Sequence, residues 1–271
     1  MTATALTIAG SDSGSGAGIQ ADLKTFSALE TYGLSVITAI TAQNTRGVFA
    51  VEDVSSAVVA AQIKAVFEDF NATPLSIGAL KIGMVSRVET IETIASGLAG
   101  FHGPVVVDPV MVATSGDRLL QQDAVSALRE RLLPLAMIAT PNLPEAALLT
   151  GLPFAHDRAA VTRQAEAILK AGASAVLIKG GHGEGPGSTD LLFDGDRMRI
   201  FSAARIATRN DHGTGCTLAA AITAHLARGH GLIEAVSLSK TYLHQALEAG
   251  RDLRVGDGRG PVHHFHRWWP A

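Results

Sequence analysis

The chain has 271 residues and a formal net charge of -3, with 47% hydrophobic, 17% charged and only 5% aromatic residues. We therefore expect a large core of Ala, Val, Leu and Ile, which suits parallel strands covered by helices on both faces. The charge argues against a nucleic-acid surface, which needs clustered excess Lys and Arg. A single cysteine excludes an internal disulfide and favours a reducing compartment.

The N-terminal residues and the apolar runs bear on localisation. Residues 1–6 lack the basic region and the long apolar run of a signal peptide. No stretch reaches the ~18 uninterrupted apolar residues that a transmembrane helix needs. We therefore expect a cytoplasmic protein with no membrane partner and no nucleic-acid partner.

Apolar runs alternate with amphipathic patterns along the chain. The runs predict strands, in order, at residues 5–8, 34–40, 48–51, 80–82, 105–107, 137–139, 175–178, 191–194 and 198–201. Helical spacing predicts helices from residue 19 to near Gly33 and over 55–70, 161–170, 217–226 and 232–249. Three further helices are predicted: one that starts at a capping box at 86–89, one that ends at about residue 133, and one that starts at Asn142. This alternation predicts βαβ units and one α/β domain, residues 1–271, with a mostly parallel sheet.

Polar and glycine-rich segments follow the predicted strands. Examples are the glycine-rich residues 10–18, the polar residues 41–47, a flexible segment at 113–117 that we expect to act as a lid, and a glycine loop at 179–187. In parallel sheets, ligands bind at the carboxyl ends of the strands. We therefore expect several strand ends to build one site in one crevice.

The sequence T-R-N-D-H-G-T-G-C-T at residues 208–217 enters an apolar helical pattern. Gly213 and Gly215 allow a tight turn that presents bare N–H groups at a helix N-terminus, where the helix dipole also favours anions. A plain glycine turn is the simpler interpretation. The P-loop and Rossmann glycine motifs are absent, so this helix start is the main predicted phosphate site.

Cys216 lies at the same helix start. Most free cysteines are small buried hydrophobic residues, but a thiol at a helix N-terminus has its thiolate form favoured. We therefore expect Cys216 to act as a base or a nucleophile. His212 is close in sequence, which keeps the nucleophile alternative open.

Two carboxylates and one lysine follow predicted strands. Asp108 ends the 105–107 strand, and Glu145 opens a helix after Asn142. Each has a simple structural role, as a turn former and as a partner of the helix dipole, but two in one crevice favour Mg²⁺ held through water. Lys179 either neutralises nucleotide phosphates or is a solvated loop residue.

Three further features concern substrate and tail. The amide of Gln43 offers a donor beside an acceptor, which matches the ring nitrogen and amino group of an aminopyrimidine. Asp22 could take the substrate hydroxyl or amino group, although an exposed acid at a helix start is common. In the tail, residues 263–269, three histidines and two tryptophans have no regular metal-ligand spacing, so we expect a packed clasp or a dimer contact.

Taken together, the motifs resemble the hydroxymethylpyrimidine and phosphomethylpyrimidine kinase family of thiamine biosynthesis, within the ribokinase-like superfamily. The resemblance spans nearly the whole chain. It rests on A-L-T-I-A-G-S-D, G-A-G-I-Q-A-D-L-K, T-A-Q-N-T, K-I-G-M, V-V-V-D-P-V-M, T-P-N-L-P-E-A, I-K-G-G-H, N-D-H-G-T-G-C-T and G-P-V-H-H-F-H, in this order. The glycine loop S-D-S-G-S-G departs from the commoner form D-P-S-G-G-A at Ser13, Gly14 and Ser15.

The resemblance implies a three-layer α/β/α domain that uses ATP and Mg²⁺ for two successive phosphoryl transfers. A monovalent cation is a further cofactor of interest, and a homodimer is the expected assembly. By position, the pyrimidine pocket is implied to comprise Gly10, Asp22, Gln43, Met84 and Val110. The phosphate and nucleotide residues are implied to be Asp108 and Glu145 for the metal, Lys179, Thr208 and Thr214 for ATP, Gly213 and Gly215 for the anion hole, and Cys216 as base. The superfamily usually has Asp at the position of Cys216.

Other functions remain open at this stage. A pyridoxal kinase of the same fold is the nearest alternative. A thiol-nucleophile enzyme using Cys216 belongs to a different class, and a non-catalytic ligand-binding regulator is a third possibility. The presence together of Asp108, Glu145, Lys179 and Cys216 argues against the regulator.

Overall fold

Nine strands form one continuous sheet in the computed structural model, which describes residues 2–70, 76–111, 122–180 and 187–269. The strands are β1 Ala3–Asp12, β2 Thr31–Asn44, β3 Gly47–Asp53, β4 Ala79–Ile82, β5 Val105–Val107, β6 Ile138–Ala139, β7 Val176–Lys179, β8 Gly187–Phe193 and β9 Met198–Ala204. Their spatial order is β3-β2-β1-β4-β5-β6-β7-β8-β9. Six neighbouring strands are parallel, namely β2, β1, β4, β5, β6 and β7. Antiparallel pairing adds β3 at one edge of the sheet and β8 and β9 at the other.

Eight helices accompany these strands in the described residues. They are α1 Gly18–Ala28, α2 Ser56–Phe70, α3 Val88–Gly97, α4 Gln122–Ala127, α5 Leu143–Thr150, α6 Arg158–Lys170, α7 Thr214–Ala227 and α8 Leu232–Ala249. A π-helical turn, Leu128–Leu132, and a 3₁₀ turn, Leu133–Leu135, follow α4. Helices α1, α7 and α8 pack together, and α2 to α6 form a second group.

Alternate residues of the central strands belong to different cores, because successive side chains of a strand point to opposite faces. Leu80 and Ile82 of β4 pack among residues of the α2 to α6 group. Ala79, from the same strand, and Val106 of β5 pack among residues of α7 and α8. Helices therefore cover both faces, so the predicted α/β class with a mostly parallel sheet is confirmed.

Several element boundaries differ from the predictions. Helix α1 ends at Ala28 and the chain turns at Glu30, where φ is +58°, so Gly33 lies in β2 and the predicted helix end near Gly33 is wrong. The 41–47 loop is also wrong, because β2 continues to Asn44 and forms a hairpin with β3. Helix α8 has the predicted bounds.

The capping box predicted at Ser86 is not formed. Helix α3 begins after Arg87, which makes no side-chain cap. The Ser86 hydroxyl instead donates to the carboxylate of Asp53, at the end of β3. A tertiary partner thus replaces the local one that the spacing favoured.

Two of the predicted loops fall wholly or mostly outside the described residues. The lid at residues 113–117 lies outside the described residues, as does most of the 179–187 loop. Within the described ranges, every helix is too short or too polar to cross a bilayer.

Candidate active site

One cavity of about 670 Å³ lies at the carboxyl ends of the parallel strands. Each of these strands supplies a lining residue at or just after its end, as expected for a parallel sheet. These residues are Asp12 for β1, Gln43 for β2, Met84 for β4, Asp108 for β5, Asn142 for β6 and Lys179 for β7. Of the predicted site residues, Gly10, Gln43, Met84, Asp108, Val110, Glu145, Lys179, Thr208, Gly213, Thr214, Gly215 and Cys216 line it, whereas Asp22 does not.

The N-terminus of α7 points its backbone into this cavity. Gly213 is the N-cap, with φ +79°, and no side chain caps the helix. The first intrahelical bond runs from Thr217 N to Gly213 O, at 2.9 Å, so the helix itself leaves the N–H groups of Gly215 and Cys216 without acceptors. A Cβ on Gly213 would lie 1.8 Å from Gly16 O. Only glycine therefore lets this helix start pack against the loop that follows β1.

A carboxylate–lysine group lies beside this helix start. Lys179 Nζ donates to Asp108 Oδ1 at 2.8 Å, and the Thr140 hydroxyl donates to the same oxygen at 2.9 Å. The buried Asp108 Oδ2 has no partner among the described residues. Burial alone would raise the pKa of Asp108, but Lys179 and Lys81 hold it below its usual value. Lys179 is thus paired in the site and is not a solvated loop lysine.

The Glu145 carboxylate caps helix α5 and also lies near Lys179. Its carboxylate accepts from Asn142 N at 2.7 Å, and its own N–H donates to Asn142 Oδ1, so the predicted helix start is a capping box. Its Oε2 also lies 3.9 Å from Lys179 Nζ. Burial raises the pKa of Glu145 to about 7, against the opposing effect of Lys179. This carboxyl group therefore titrates near neutral pH.

Asp22 has a different role from the predicted substrate contact. Its side chain is fully buried, and it accepts from Lys81 Nζ at 2.6 Å and from the Thr7 hydroxyl at 2.7 Å. Both carboxylate oxygens therefore have protein donors. Lys81, which sequence reasoning missed, lines the cavity in its place. The missed signal was a charged residue inside the apolar strand β4, because such a residue needs a buried partner.

Cys216 lies in the cavity wall, but its ionisation is opposite to the expectation. Burial raises the pKa of the thiol to about 11, although the charge of Lys81 favours the thiolate. The helix dipole does not outweigh the loss of solvation. The thiolate is therefore a minor form of Cys216 near pH 7, and not the favoured form that the sequence predicted.

The predicted pyrimidine-pocket residues, apart from Asp22, lie in or just after β1, β2, β4 and β5 and line the cavity. Gly10 packs against Met84, since a Cβ on Gly10 would lie 2.9 Å from Met84 Cε. Gln43 and Val110 are half-buried and line the same cavity. This part of the lining combines an apolar surface with the amide of Gln43.

Asp12 and His212 form a buried pair that sequence reasoning did not assign. Asp12 Oδ2 lies 2.9 Å from His212 Nε2, and the carboxylate also accepts the N–H groups of Gly14, Gly16 and Ala17. The pair joins the glycine loop after β1 to the loop before α7, 200 residues later. Glycine-rich spacing was visible in the sequence, but the partner on the distant loop was not.

Residues of β8, β9 and α8 form another part of the cavity lining. Lys240 Nζ donates to Asp190 Oδ2 at 2.6 Å and to Ser188 Oγ at 3.0 Å. Leu243 and Leu247 supply apolar surface there, and Thr208 borders it. Of these residues, Thr208 alone was among the predicted site residues.

The C-terminal histidine-rich tail packs as a clasp. The side chain of His264 is buried, with its Nε2 3.1 Å from Thr217 Oγ1, and Tyr242 donates to its carbonyl at 2.7 Å. Burial lowers the pKa of His264 to about 3. Phe265 stacks on Trp269. Within the described part of the chain, no cluster of three or more His, Cys, Asp or Glu side chains could hold a metal.

The chain is similar to known proteins over nearly its whole length. The sequence pattern of the family described as phosphomethylpyrimidine kinase matches residues 12–263. A hydroxymethylpyrimidine/phosphomethylpyrimidine kinase from Rhizobium meliloti (strain 1021) is 67% identical over 269 residues, which are 99% of each chain.

Solved structures show the same fold. A phosphomethylpyrimidine kinase from Clostridium difficile 630 has 48% identity and a TM-score of 0.79, over 90% of this chain and 99% of that one. The pyridoxal kinase from Staphylococcus aureus in complex with ADP has 35% identity and a TM-score of 0.88, over 99% of this chain and 95% of that one. The expected ribokinase-like fold is confirmed, and the chain belongs to the phosphomethylpyrimidine kinase family.

Proposed function

We propose that this chain transfers a phosphoryl group from ATP to 4-amino-5-hydroxymethyl-2-methylpyrimidine and then a second one to the monophosphate, as a step of thiamine biosynthesis. One observation carries the proposal. A single cavity joins the amide of Gln43, the bare helix start at Gly213–Cys216, and the group formed by Asp108, Glu145 and Lys179.

The pyrimidine binds at the end that contains Gly10, Gln43, Met84 and Val110. A flat apolar ring suits the surface of Met84 and Val110, and the Gln43 amide pairs with the ring nitrogen and amino group of the substrate. Asp22 contributes indirectly, because it holds Lys81 at the cavity wall. The 5-hydroxymethyl group then faces the start of α7.

The transferred phosphoryl group lies against the N-terminus of α7. Phosphoryl transfer passes through a loose transition state whose charge is spread over oxygens, so positioning and charge stabilisation matter most. The N–H groups of Gly215 and Cys216 donate to these oxygens, and Lys179 adds a positive charge. A Cβ on Gly215 would lie only 3.4 Å from Lys179 Nζ, which supports a joint action of helix start and lysine.

The donor set also fits Mg²⁺. Asp108 Oδ2 is a buried carboxylate oxygen without a partner among the described residues, and Glu145 is the second carboxylate. Mg²⁺ usually uses one or two carboxylates, with waters and substrate phosphates as the other ligands. Asp108 and Glu145 would hold this ion, and its charge would neutralise the phosphate oxygens.

Cys216 serves the two transfers unequally. The first acceptor is a primary alcohol, which must lose its proton, and the minor thiolate form of Cys216 at the helix start is the base that we propose for this proton. The second acceptor is a phosphate with a second pKa of about 6, so it is already ionised near pH 7. The second transfer therefore needs no base.

ATP occupies the remaining length of the cavity. Thr208 and Thr214 line the path between the helix start and the apolar surface of Leu243 and Leu247. The related pyridoxal kinase binds ADP, which supports a nucleotide at this end.

We also propose one kinase domain over residues 1–271, located in the cytoplasm and assembled as a homodimer. Exposed apolar side chains on the β2–β3 hairpin support the dimer, since Ile40 is 49% exposed and Phe49 is 69% exposed. Light scattering of the purified protein tests the assembly. A monomer at micromolar concentration would contradict it.

A comparison of two substrates tests the proposed function. ADP release is measured with the aminopyrimidine alcohol and with pyridoxal, in the presence and absence of Mg²⁺ and of K⁺. We expect the higher kcat/KM for the aminopyrimidine and full dependence on Mg²⁺. A higher kcat/KM for pyridoxal would favour the second candidate, to which the fold of the related pyridoxal kinase points.

The thiol-nucleophile alternative has less support. A nucleophilic thiol is activated by a neighbouring base, whereas the family to which the chain belongs is described as a kinase. His212 Nε2 is engaged by Asp12 at 2.9 Å. Alkylation of Cys216 that abolishes a reaction without ATP consumption would revive this alternative.

A further inference from the structure

The amide of Gln43 lies between two polar groups whose protons are already committed. One amide atom is 3.3 Å from His212 Nε2, and the other is 3.3 Å from the Thr41 hydroxyl oxygen. All three side chains line the cavity. The protons of His212 and Thr41 therefore decide which way round the amide is held.

The proton of His212 Nε2 points to Asp12. Asp12 accepts three backbone N–H groups, from Gly14, Gly16 and Ala17, at 2.8 to 3.0 Å, as an ionised carboxylate does. Burial alone would raise the pKa of Asp12, but the His212 contact and these N–H groups hold it below its usual value. A carboxylate 2.9 Å from Nε2 requires the proton on that nitrogen. His212 Nε2 is thus a donor and cannot accept from an amide NH₂.

The proton of Thr41 is committed to the backbone. The hydroxyl donates to Ser11 O at 2.8 Å, and a carbonyl can only accept. A hydroxyl has one proton, so toward Gln43 the Thr41 oxygen offers only lone pairs. Thr41 is therefore an acceptor for the amide.

Only one orientation of the amide suits both neighbours. The NH₂ group has an acceptor in the Thr41 oxygen, whereas against His212 Nε2–H it would meet a second N–H group and no acceptor. The amide oxygen therefore faces His212, and because oxygen and nitrogen have almost the same shape, this orientation fits the same space. Each amide group keeps a free position toward the cavity, namely one lone pair on oxygen and one N–H on nitrogen.

We infer that Asp12, His212 and Thr41 are positioning residues that hold the Gln43 amide in one orientation, so that the cavity presents an acceptor on the His212 side and a donor on the Thr41 side. The inference rests on the proposed function, in which Gln43 contacts the pyrimidine. This order matches a 4-amino group beside an unprotonated ring nitrogen. A 4-oxo pyrimidine carries the reverse order, so that oxygen meets oxygen and N–H meets N–H.

The selectivity between two substrates tests the inference. The kcat/KM for ATP-dependent phosphorylation is measured with the 4-amino and the 4-oxo forms of 5-hydroxymethyl-2-methylpyrimidine. We expect the wild type to favour the amino form by at least about 100-fold, because a site with fixed hydrogen-bonding groups rejects a mismatched analogue strongly. T41V removes the acceptor without changing the side-chain shape, and we expect it to lower this ratio about tenfold or more, chiefly by raising KM for the amino form.

Three further variants make the test specific. T41S retains the hydroxyl, and we expect it to retain the wild-type ratio. T223V deletes another buried hydroxyl, which donates to Ala219 O within α7, and we expect no change in the ratio. H212F removes the N–H group that excludes the amide NH₂ from the other side, and we expect it to lower the ratio as T41V does.

The outcomes separate the inference from the proposed function. A wild-type protein that phosphorylates neither pyrimidine would contradict the proposed function, and the inference with it. A wild type that phosphorylates the amino form, with an unchanged amino-to-oxo ratio in both T41V and H212F, would overturn the inference alone.

Discussion

Lys179 and Asp108 form an ion pair in which only one carboxylate oxygen is used. Lys179 Nζ contacts Asp108 Oδ1 at 2.8 Å, while Asp108 Oδ2 is buried and has no partner among the described residues. The same Nζ lies 3.9 Å from Glu145 Oε2. Lys179 thus lies close to two buried carboxylates, and Glu145, the more distant of the two, has its pKa raised to about 7 by burial.

Glu145 should make stability depend on pH. Its folded-state pKa, about 7, lies above the ordinary value of 4.5, so the unfolded chain loses this proton first and stability falls as pH rises from about 4.5 to 7. The loss is on the order of 3 kcal/mol. Urea unfolding of wild type and E145Q at pH 5, 6 and 7 measures it, and E145Q should lack this component.

The ionisation of Glu145 should also govern the binding of Mg²⁺. Because Mg²⁺ binds carboxylate and not carboxylic acid, we expect its apparent affinity in the ATPase assay to rise from pH 6 to pH 8. E145Q should show weaker and nearly pH-independent activation by Mg²⁺. An E145Q variant with the pH profile of the wild type would contradict the assignment of Glu145 as a metal residue.

Gly213 should be irreplaceable for two reasons, its positive φ and its close approach to Gly16. A comparison with Gly229, which has only the positive φ, separates them. Gly213 and Gly229 lie at opposite ends of α7 with φ of +79° and +88°, but only at Gly213 does an added Cβ meet another atom, Gly16 O at 1.8 Å. We expect G229A to lose about 1 kcal/mol of stability from backbone strain and to retain activity. G213A should lose at least about 2 kcal/mol more, together with nearly all kinase activity.

Thermal unfolding and ADP release check both variants. Equal losses of stability in G213A and G229A would show that the contact with the loop after β1 is unimportant. Full activity in G213A would contradict the anion site at the start of α7.

The Asp22–Lys81 pair should be a structural support of the site. Both side chains are fully buried, 2.6 Å apart. D22N leaves a buried charge uncompensated, so we expect a loss of about 3–5 kcal/mol. The double variant D22N/K81M should be less destabilised than the sum of the single variants, whereas R87A, which breaks an exposed pair with Glu89, should cost less than about 1 kcal/mol.

Urea unfolding of the wild type, D22N, K81M and D22N/K81M provides the cycle, and R87A is the control. Strictly additive losses in D22N and K81M would contradict a coupled pair. A normal KM for the pyrimidine in a folded D22N variant would agree with the indirect role of Asp22.

Cys216 should matter for one transfer only. We expect C216A to slow phosphorylation of the alcohol at least about 100-fold and phosphorylation of the monophosphate only a few-fold, because general-base catalysis contributes about 10²–10⁴. Since burial raises the thiol pKa to about 11, the thiolate fraction increases about tenfold per pH unit from pH 7 to 9. The alcohol reaction of the wild type should rise accordingly, and that of C216A should not. Equal losses in both transfers would exclude the base role.

The sequence predicted the class of fold and the edge of the sheet that carries the site. Both follow from local patterns, namely the alternation of apolar runs with helical spacing, and polar residues after strands. Helix α8 has the predicted bounds because its periodicity is uninterrupted. Ser86 shows the limit of such patterns, since its capping spacing was overridden by a contact with Asp53.

Residues whose role depends on distant partners were not predictable in this way. Lys81 and Asp22 stabilise each other across 59 positions of sequence, and Asp12 and His212 across 200. The ionisation of Cys216 also required the structure, because burial and the helix dipole act in opposite directions and only the surroundings decide between them.

A mass-resolved time course tests the central claim most directly. The purified protein is mixed with Mg-ATP and 4-amino-5-hydroxymethyl-2-methylpyrimidine, and the pyrimidine products and ADP are quantified together. We expect the monophosphate to appear first, the diphosphate to follow, and ADP to equal one equivalent per phosphoryl group transferred. ADP release without any phosphorylated pyrimidine, or no ADP release at all, would contradict the account.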